Sequence, residues 1–142
     1  MSPEELHALE LLRQVPYGRV ATSMRALPFL AAARHIVADG QVVLRMHAGF
    51  GYHDACDGSV VAYGADNLNT GDPHLWSVQL TGTARTVEPA TAELELFGPA
   101  PHFVDGQVFD PVHMRIEPQF VTVHALRPGP AEIPRRQFQR TL

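Results

Sequence analysis

The clearest periodic pattern in the chain lies between Leu75 and Val87. Trp76, Val78 and Leu80 alternate there with polar residues, and a period of two is typical of a half-buried antiparallel strand. Gly82 interrupts the alternation, which indicates a bulge, a bend or the close approach of another backbone. The segment is long for a strand, and a small closed barrel requires long bent strands. We therefore predict that the other strands are aligned against Leu75–Val87.

Further strands are predicted where apolar runs end at turn-forming residues. Asp39-Gly40 lies between two such runs, and this dipeptide is a strong hairpin signal. The run Val60-Val61-Ala62-Tyr63 is continuously apolar, so its strand is predicted to be buried on both faces. The predicted strands are Arg19–Met24, Phe29–Val37, Gln41–His47, Ser59–Ala65, and Val112–Glu117 with Gln119–Leu126, as one strand or as two separated by Pro118.

Short helices are predicted outside the strands. Ser2 and Glu5 form a capping-box pattern at the start of the first helix, and Pro16 ends it. The last helix is expected to turn Leu94, Leu96 and Phe97 inward. The predicted helices are Ser2–Gln14, Tyr52–Cys56 and Pro89–Phe97, and the main loops are Ala48–Gly58, Asp66–His74 and Phe103–Pro111.

This order of elements predicts a mainly β fold, a small antiparallel barrel of about six strands with short flanking helices. A chain of 142 residues is expected to form one domain, which we place at residues 1–126. Arg127–Leu142 is rich in proline and arginine and is predicted to be a tail, disordered or draped over a partner subunit. Charged residues make up only 18% of the chain, which a homo-oligomer would explain.

Composition excludes several classes of protein. The single cysteine, Cys56, rules out an intrachain disulfide framework, and a net charge of −4 gives no electrostatic footprint for nucleic acid. No apolar run is long enough to span a membrane, and the acidic amino terminus does not resemble a secretion signal. We therefore expect a cytoplasmic protein without a membrane segment. The chain also lacks the G-x-S-x-G nucleophile elbow, which argues against a hydrolase.

Five segments follow one another along the chain at particular spacings: LLRQVPYGRVATS at Leu11–Ser23, ADGQVVLRM at Ala38–Met46, VVAYGAD at Val60–Asp66, WSVQLTGTARTV at Trp76–Val87 and MRIEPQFVT at Met114–Thr122. Together they resemble the pyridoxamine 5′-phosphate oxidase-like family, the flavin-binding split barrels. The strand that begins at Trp76 and reads T-G-x-A towards its end is typical of the branch that includes nitroimidazole-resistance proteins. The resemblance extends over roughly Glu5 to Leu126 and is an analogy of order and spacing.

The resemblance implies a homodimer with two equivalent cofactor sites at the subunit interface. The usual ligand of the family is FMN, while some branches use the deazaflavin F420 and related split barrels bind haem. The implied activity is an FMN-dependent oxidoreductase that passes a hydride from NAD(P)H or a substrate to a small molecule, with the redox chemistry supplied by the cofactor. The alternative is a non-catalytic binding protein of the same fold for haem, F420 or another ligand, acting as a sensor, carrier or resistance factor.

The family pattern also implies where the cofactor lies. The flavin ring is expected against Ala31–Arg34 and Leu44–His47, and its phosphate near the loop that follows. The lysine or arginine usual around Gly51–Tyr52 is absent, so Arg45, protonated His53 and the helix start near Tyr52 are expected to replace it. The implied cofactor-binding residues are Arg34, Arg45, Met46, His47, Tyr52, His53, and, at the ring edge, Trp76, Ser77 and Gln79.

The same residues have plainer interpretations. Arg34 and Arg45 suit phosphate or carboxylate, but solvent-facing arginines on strands are equally common. Eight histidines is a high number, yet no spaced cluster such as H-E-x-x-H occurs, so no metal site is predicted and scattered histidines are the commoner case. Haem would need an axial ligand, for which the candidates are His35, Met46, His47 and His53.

Overall fold

The computed structural model describes residues 1–126, so the predicted tail Arg127–Leu142 lies outside the described residues. The helices are α1 (Pro3–Leu12), α2 (Tyr52–Cys56) and α3 (Thr91–Phe97), with a 3₁₀ turn at Ala48–Phe50. The strands are β1 (Tyr17–Met24), β2 (Leu27–Ala38), β3 (Gln41–His47), β4 (Val60–Asp66), β5 (Leu75–Thr86), β6 (Phe103–Val104), β7 (Gln107–Val108) and β8 (Pro111–Leu126).

Six antiparallel strands close into a barrel in the order β1-β2-β3-β8-β5-β4, which confirms the predicted fold class. The strands β6 and β7 form a separate hairpin outside the barrel. α1 packs against β8, β2 and β5, and its buried Leu9, Leu11 and Leu12 belong to the main core. Ser2 caps α1 by accepting the N–H of Glu5 at 3.1 Å, as the capping-box pattern predicts.

β5 pairs with β4 on one side and with β8 on the other, so the prediction that the other strands align against this segment holds for two of them; β1, β2 and β3 lie elsewhere in the barrel. Trp76, Val78 and Leu80 are buried on its inner face. β5 pairs with β8 along its whole length, and the register shifts where Thr81 faces Phe120 and Gly82 faces Pro118. The bulge therefore lies in β8, which continues through Pro118 as one strand.

Gly82 is required because another backbone approaches it closely. A β-carbon at this position would stand 2.0 Å from the carbonyl oxygen of Glu117. That separation is far below a van der Waals contact, so any larger residue must push β5 and β8 apart. Glycine is therefore required at position 82 because of the close backbone approach at the bulged pairing. A bulge was one of the explanations of Gly82 that the sequence left open.

Two hairpins with two-residue turns place β2 between its neighbours. Asp39-Gly40 joins β2 to β3 with φ values of 52° and 74°, the left-handed conformation of a type I′ turn. Arg25-Ala26 joins β1 to β2 with φ values of 54° and 65°, although neither residue is glycine. β2 consequently begins at Leu27, earlier than the predicted Phe29.

Two predictions about burial are wrong. β4 buries Val61, Tyr63 and Ala65, but Val60 is 57% exposed, because successive side chains of a strand point to opposite faces and only one face of this strand meets the core. α3 buries only Phe97, and its Leu94 and Leu96 are 45% and 58% exposed. The helix is short: Glu93 at its start pairs with Arg115 of β8 at 3.2 Å, and Phe97 at its end is the apolar side chain that joins a core cluster, with Ile36 and Val43.

Replacing Gly82 by alanine is expected to destabilise the protein by about 2 kcal/mol or more, because the added methyl group overlaps a backbone carbonyl. Urea unfolding monitored by circular dichroism measures the change. Gly64→Ala is the matched control, since a β-carbon there meets its nearest backbone atom at an ordinary 3.6 Å. Equal free energies of unfolding for the two variants would show that β8 can shift at the bulge and make room for the added methyl group.

Candidate functional site

A cavity of about 380 Å³ lies over β2 and β3, and we call it the aromatic cleft. Its floor includes Ala31–Ala33 of β2 and Met46 of β3. Its walls come from Tyr17, from the turn and helix that follow β3, and from the segment carrying the β6–β7 hairpin. The barrel strands thus provide the floor of the site, and the segments that connect the strands enclose it. Besides the floor residues, the cleft is lined by the apolar and aromatic residues Tyr17, Leu30, Phe50, Tyr52, Pro101, Val104 and Phe109.

Aromatic rings contact one another along this cleft. Tyr52 stacks on Phe29 with ring centroids 4.8 Å apart, and Phe50 lies 5.9 Å from Tyr52. His47 meets Phe50 edge-on at 4.9 Å and stacks on Phe109 at 5.6 Å. Aromatic rings in contact with one another in this way restrict each other's orientation and provide a flat apolar surface for a planar ligand.

Arg45 lies at one end of the cleft and is almost buried, with 8% of its surface exposed. Its guanidinium donates from Nη1 to the carbonyl of Gly98 at 3.1 Å and from Nη2 to the carbonyl of Pro99 at 3.3 Å. The ring of Phe97 lies 5.2 Å from the guanidinium carbon. Burial lowers the pKa of Arg45 from its usual value, and the neighbouring charge of Arg34 lowers it further.

Arg34 is the cross-strand partner of Arg45. It donates from Nη1 to the carbonyls of Pro16, at 3.3 Å, and His35, and from Nη2 to the carbonyl of Leu96 at 3.2 Å. Within residues 1–126, no carboxylate is in ion-pair contact with either arginine. Two adjacent cations held only by main-chain carbonyls favour an anion at this end of the cleft.

His47 ties the cleft floor to the segment that follows β7. Its Nδ1 accepts the N–H of Asp110 at 3.0 Å, so its proton belongs on Nε2, which faces Oε1 of Gln107 at 3.4 Å. His47 is 6% exposed and has both ring nitrogens engaged. The residue therefore acts as a positioning group for the cleft wall and offers no free lone pair to a metal.

His35 lies in the barrel interior, outside the cleft, and is 1% exposed. Its Nε2 donates to the carbonyl of Leu12 at 2.8 Å, which leaves Nδ1 to accept the hydroxyl of Tyr63 at 2.5 Å. The side chain thus joins the end of α1 to the barrel in its neutral form. Burial is the main cause that lowers the pKa of His35 below 6.5.

The structure brings together part of the set implied by the sequence. Arg34, Arg45, Met46, His47 and Tyr52 line the aromatic cleft. Within α2, His53 contacts Asp54 at 3.4 Å, and its buried Nδ1 has no hydrogen-bond partner. It is absent from the cleft lining.

The three residues implied at the ring edge also lie outside the aromatic cleft. Trp76 lines a cavity beside the 66–74 loop, and its backbone N–H donates to Oδ1 of Asn67 at 2.7 Å. Ser77 and Gln79 line a third cavity, on the face formed by β1, β4 and β5. Leu30 borders both that cavity and the aromatic cleft.

Sequence reasoning missed the cleft wall that follows α3. Residues 103–111 were predicted to be loop, but they form the β6–β7 hairpin around Asp105-Gly106, with φ values of 49° and 78°. The signal was present, because the same Asp-Gly dipeptide identified the β2–β3 turn. Phe109, Val104 and Pro101 enter the cleft from this part of the chain.

Comparison with known proteins identifies the family of the chain. The sequence model of the pyridoxamine 5′-phosphate oxidase family matches residues 4–137. The chain belongs to this family. It is also 38% identical over 85 residues to the uncharacterized protein Rv0080 of Mycobacterium tuberculosis, a match that covers 56% of each protein. The chain thus matches about half the length of this curated relative.

Solved structures share the fold. A structure of the FAD binding protein from Mycobacterium smegmatis superposes with a TM-score of 0.68 and 23% identity, covering 89% of this chain and 98% of that one. The flavocytochrome Anf3 from Azotobacter vinelandii gives a TM-score of 0.61 and 14% identity, covering 91% of this chain and 69% of that one. At these identities the likeness establishes the barrel architecture of this chain.

Among residues 1–126, no three His, Cys, Asp or Glu side chains lie together in a way that could hold a metal ion. No helix in this part of the chain has the length and apolar character needed to cross a bilayer.

The free energy of unfolding is expected to be highest above pH 6.5 and to decrease below it. The reason is that the unfolded chain binds a proton at His35 at a higher pH than the folded protein does, because burial lowers the pKa of this histidine. Lowering the pH from about 7.5 to about 5.5 should reduce the free energy of unfolding through this residue, by no more than about 1.4 kcal/mol, the limit set by the ordinary histidine pKa of the unfolded chain. His113, whose pKa burial also lowers, contributes in the same direction.

The check is urea unfolding at both pH values for the wild type and for His35→Gln, which keeps one hydrogen-bonding partner but does not titrate. The variant should be less stable at neutral pH and show a smaller loss on acidification. His124→Gln, at an exposed position, is the control and should keep the wild-type pH dependence. An unchanged loss in His35→Gln would assign the acid sensitivity to other groups.

Proposed function

We propose that this protein is a flavin-dependent oxidoreductase that binds FMN in the aromatic cleft and passes a hydride between NAD(P)H, or another donor, and a small organic molecule. One observation carries the proposal. The cleft joins a wall of aromatic rings to a pair of adjacent arginines that have no carboxylate partner within residues 1–126. A ligand with a flat apolar ring and a phosphate matches both ends.

The residues present fit this cofactor. A volume of about 380 Å³ lies within the usual range for small-molecule sites. The ring would lie along Ala31–Ala33 and Met46, where small side chains permit close approach, while Phe50 and Tyr52 shield it from water. Arg34 and Arg45 would exchange carbonyl acceptors for phosphate oxygens, which are stronger acceptors for a guanidinium.

This assignment gives Arg34 the phosphate-binding role that the family resemblance implied for His53. His53 does not line the cleft, whereas Arg34 lies directly across the β2–β3 ladder from Arg45. The flavin, when bound, supplies the hydride chemistry, and the protein's task is to bind, orient and desolvate it. His47 contributes by its hydrogen bonds to Asp110 and Gln107, which fix the cleft wall relative to the floor.

The names of the structural neighbours support a flavin rather than another ligand. The Mycobacterium smegmatis protein is named as FAD-binding and the Azotobacter vinelandii protein as a flavocytochrome. Of the candidate axial ligands for haem, His35 and His47 have both ring nitrogens in hydrogen bonds and His53 does not line the cleft, which leaves Met46. F420 shares the ring shape and the phosphate, so it is a competing ligand to be tested beside FMN.

The proposal includes a homodimer. The face formed by β1, β4 and β5 carries small residues, Ala21, Ala62 and Gly64, and continues into the cleft past Leu30, which is 64% exposed. A second copy on this face would cover Leu30 and could bring its own Ser77 and Gln79 to the ring edge, the role that the family resemblance implies for them.

Arg45→Ala is expected to weaken FMN binding about 10- to 100-fold, the effect of losing a charge-assisted hydrogen bond to phosphate. Arg34→Ala should act in the same direction. Titration of FMN fluorescence against the full chain measures both. Arg85→Ala, which removes an exposed arginine from β5, is the control and should leave binding unchanged.

The same titration separates the alternatives. Unchanged affinity in Arg45→Ala would place the phosphate elsewhere in the protein. Binding of F420 but not FMN would identify F420 as the cofactor in place of FMN. A Soret band on adding haemin, without any flavin binding, would favour the haem-binding alternative.

In solution the protein should have about twice its chain mass of 15.6 kDa, measured by light scattering after size exclusion. Ala62→Arg should produce a monomer, because it places a charge on the flat face of β4. Leu94→Arg, at an exposed position of α3, is the control and should leave the dimer intact. A wild-type monomer would exclude the shared site.

A further inference from the structure

The end of α3 and the turn after it cover the two arginines of the cleft, and we call this segment, residues 96–99, the α3 strap. Three of its carbonyls accept hydrogen bonds of 3.1 to 3.3 Å from the guanidinium groups, that of Leu96 from Arg34 and those of Gly98 and Pro99 from Arg45. Carbonyl oxygens at the carboxyl end of a helix carry partial negative charge. The strap therefore supplies, from within the chain, oxygen atoms like those of a bound anion.

The strap uses the donors that an anion needs. Both terminal nitrogens of Arg45 donate to it, and only 8% of this residue is exposed. Nη2 of Arg34 also donates to the strap, while its Nη1 donates to the carbonyls of Pro16 and His35. A guanidinium binds phosphate through a planar fork of N–H groups. A phosphate that binds Arg45 in this way competes with the strap for the same donors.

Little apolar surface holds the strap in place. Phe97 is the buried side chain of α3, whereas Leu94 and Leu96 are 45% and 58% exposed. Gly98 ends the helix with φ of 71°, and a β-carbon there would meet nothing within 4 Å, so the peptide has room to rotate. Segments with few buried apolar contacts open at a lower free energy than the core does. The strap is thus a segment that a strongly bound anion can displace.

An ion pair fastens the other end of α3 to the barrel. Nη2 of Arg115 lies 3.3 and 3.2 Å from the two carboxylate oxygens of Glu93, and the side chains are 26% and 14% exposed. Glu93 also accepts the N–H of Ala90 at 3.0 Å, which caps the helix. Within residues 1–126, Glu93 forms no ion pair with either arginine of the cleft. It acts on the strap only through the position of the helix.

We infer that the α3 strap is an autoinhibitory contact, an internal occupant of the anion-binding end of the aromatic cleft that a phosphate-bearing ligand displaces. The inference rests on the proposed function for the identity of that ligand, FMN, while the competition between strap and anion belongs to the chain itself. The apparent affinity for the ligand falls in proportion to the fraction of molecules in which the strap is open. Contacts that fasten α3 therefore lower the affinity without touching the ligand.

The first test is a fluorescence titration of FMN against the full chain carrying Glu93→Gln. The amide keeps an acceptor for the N–H of Ala90 but loses the charge that pairs with Arg115, so α3 is held less firmly. FMN affinity should rise about two- to fivefold, the factor that corresponds to one partly shielded ion pair. Glu95→Gln removes the same charge from an exposed position of the same helix and should leave the affinity unchanged.

The second test follows the strap directly by hydrogen exchange and mass spectrometry. Saturating FMN should speed exchange in the peptide that covers residues 91–99, because the strap leaves the arginines, and should slow it in the cleft floor of β2 and β3. Inorganic phosphate, compared with chloride at equal ionic strength, should also speed exchange in residues 91–99. A ligand that binds beside a strap that stays in place would slow that exchange or leave it unchanged.

The outcomes separate the strap from the proposed function. FMN that binds without faster exchange in residues 91–99 would overturn the strap and leave the FMN site in place. An equal affinity change in Glu93→Gln and Glu95→Gln would overturn it too, because charge alone would then account for the effect. Failure of FMN to bind would remove the proposed function, and inorganic phosphate would then decide: faster exchange supports the strap, and exchange equal to that in chloride overturns it.

Discussion

The pairing of β5 with β8 is the constraint on which the barrel depends. These strands run together from Leu75 opposite Leu126 to Thr86 opposite Met114, and the bulge opposite Gly82 lets them bend without breaking the ladder. The bend is possible only because Gly82 has no side chain where the carbonyl of Glu117 approaches. β8 then continues to pair with β3, so the position of the β2–β3 hairpin, and of the cleft above it, follows from this one contact.

The positive charge of the site follows from the register of β2 against β3. The turn at Asp39-Gly40 fixes β2 against β3 so that Arg34 lies opposite Arg45, and two cations become neighbours. α3 then ends over them, placing the ring of Phe97 and the carbonyls of Leu96, Gly98 and Pro99 against the guanidinium groups. Main-chain carbonyls carry only partial charge, so the pair keeps most of its attraction for an anion.

The histidines divide between fixing the structure and shaping the cleft. His35 links Leu12 of α1 to Tyr63 of β4 within the interior, and its neutral form makes that link sensitive to acid. His47 links the cleft floor to the main chain at Asp110 and so holds the wall that Phe109 joins. Neither residue needs a metal or a haem to explain its burial, because each nitrogen already has a partner.

The sequence by itself determined the six barrel strands, because a period of two and an Asp-Gly turn are local signals that survive without tertiary contacts; the β6–β7 hairpin was missed. It also placed Arg34, Arg45, Met46, His47 and Tyr52 near one another, since one hairpin and the helix after it carry them all. Only the tertiary structure decided that Leu94 and Leu96 remain exposed, that His53 and Trp76 lie away from the cleft, and that the end of α3 lies over the two arginines. Those outcomes depend on how distant segments pack, and a pattern of neighbouring residues does not encode which face another element will cover.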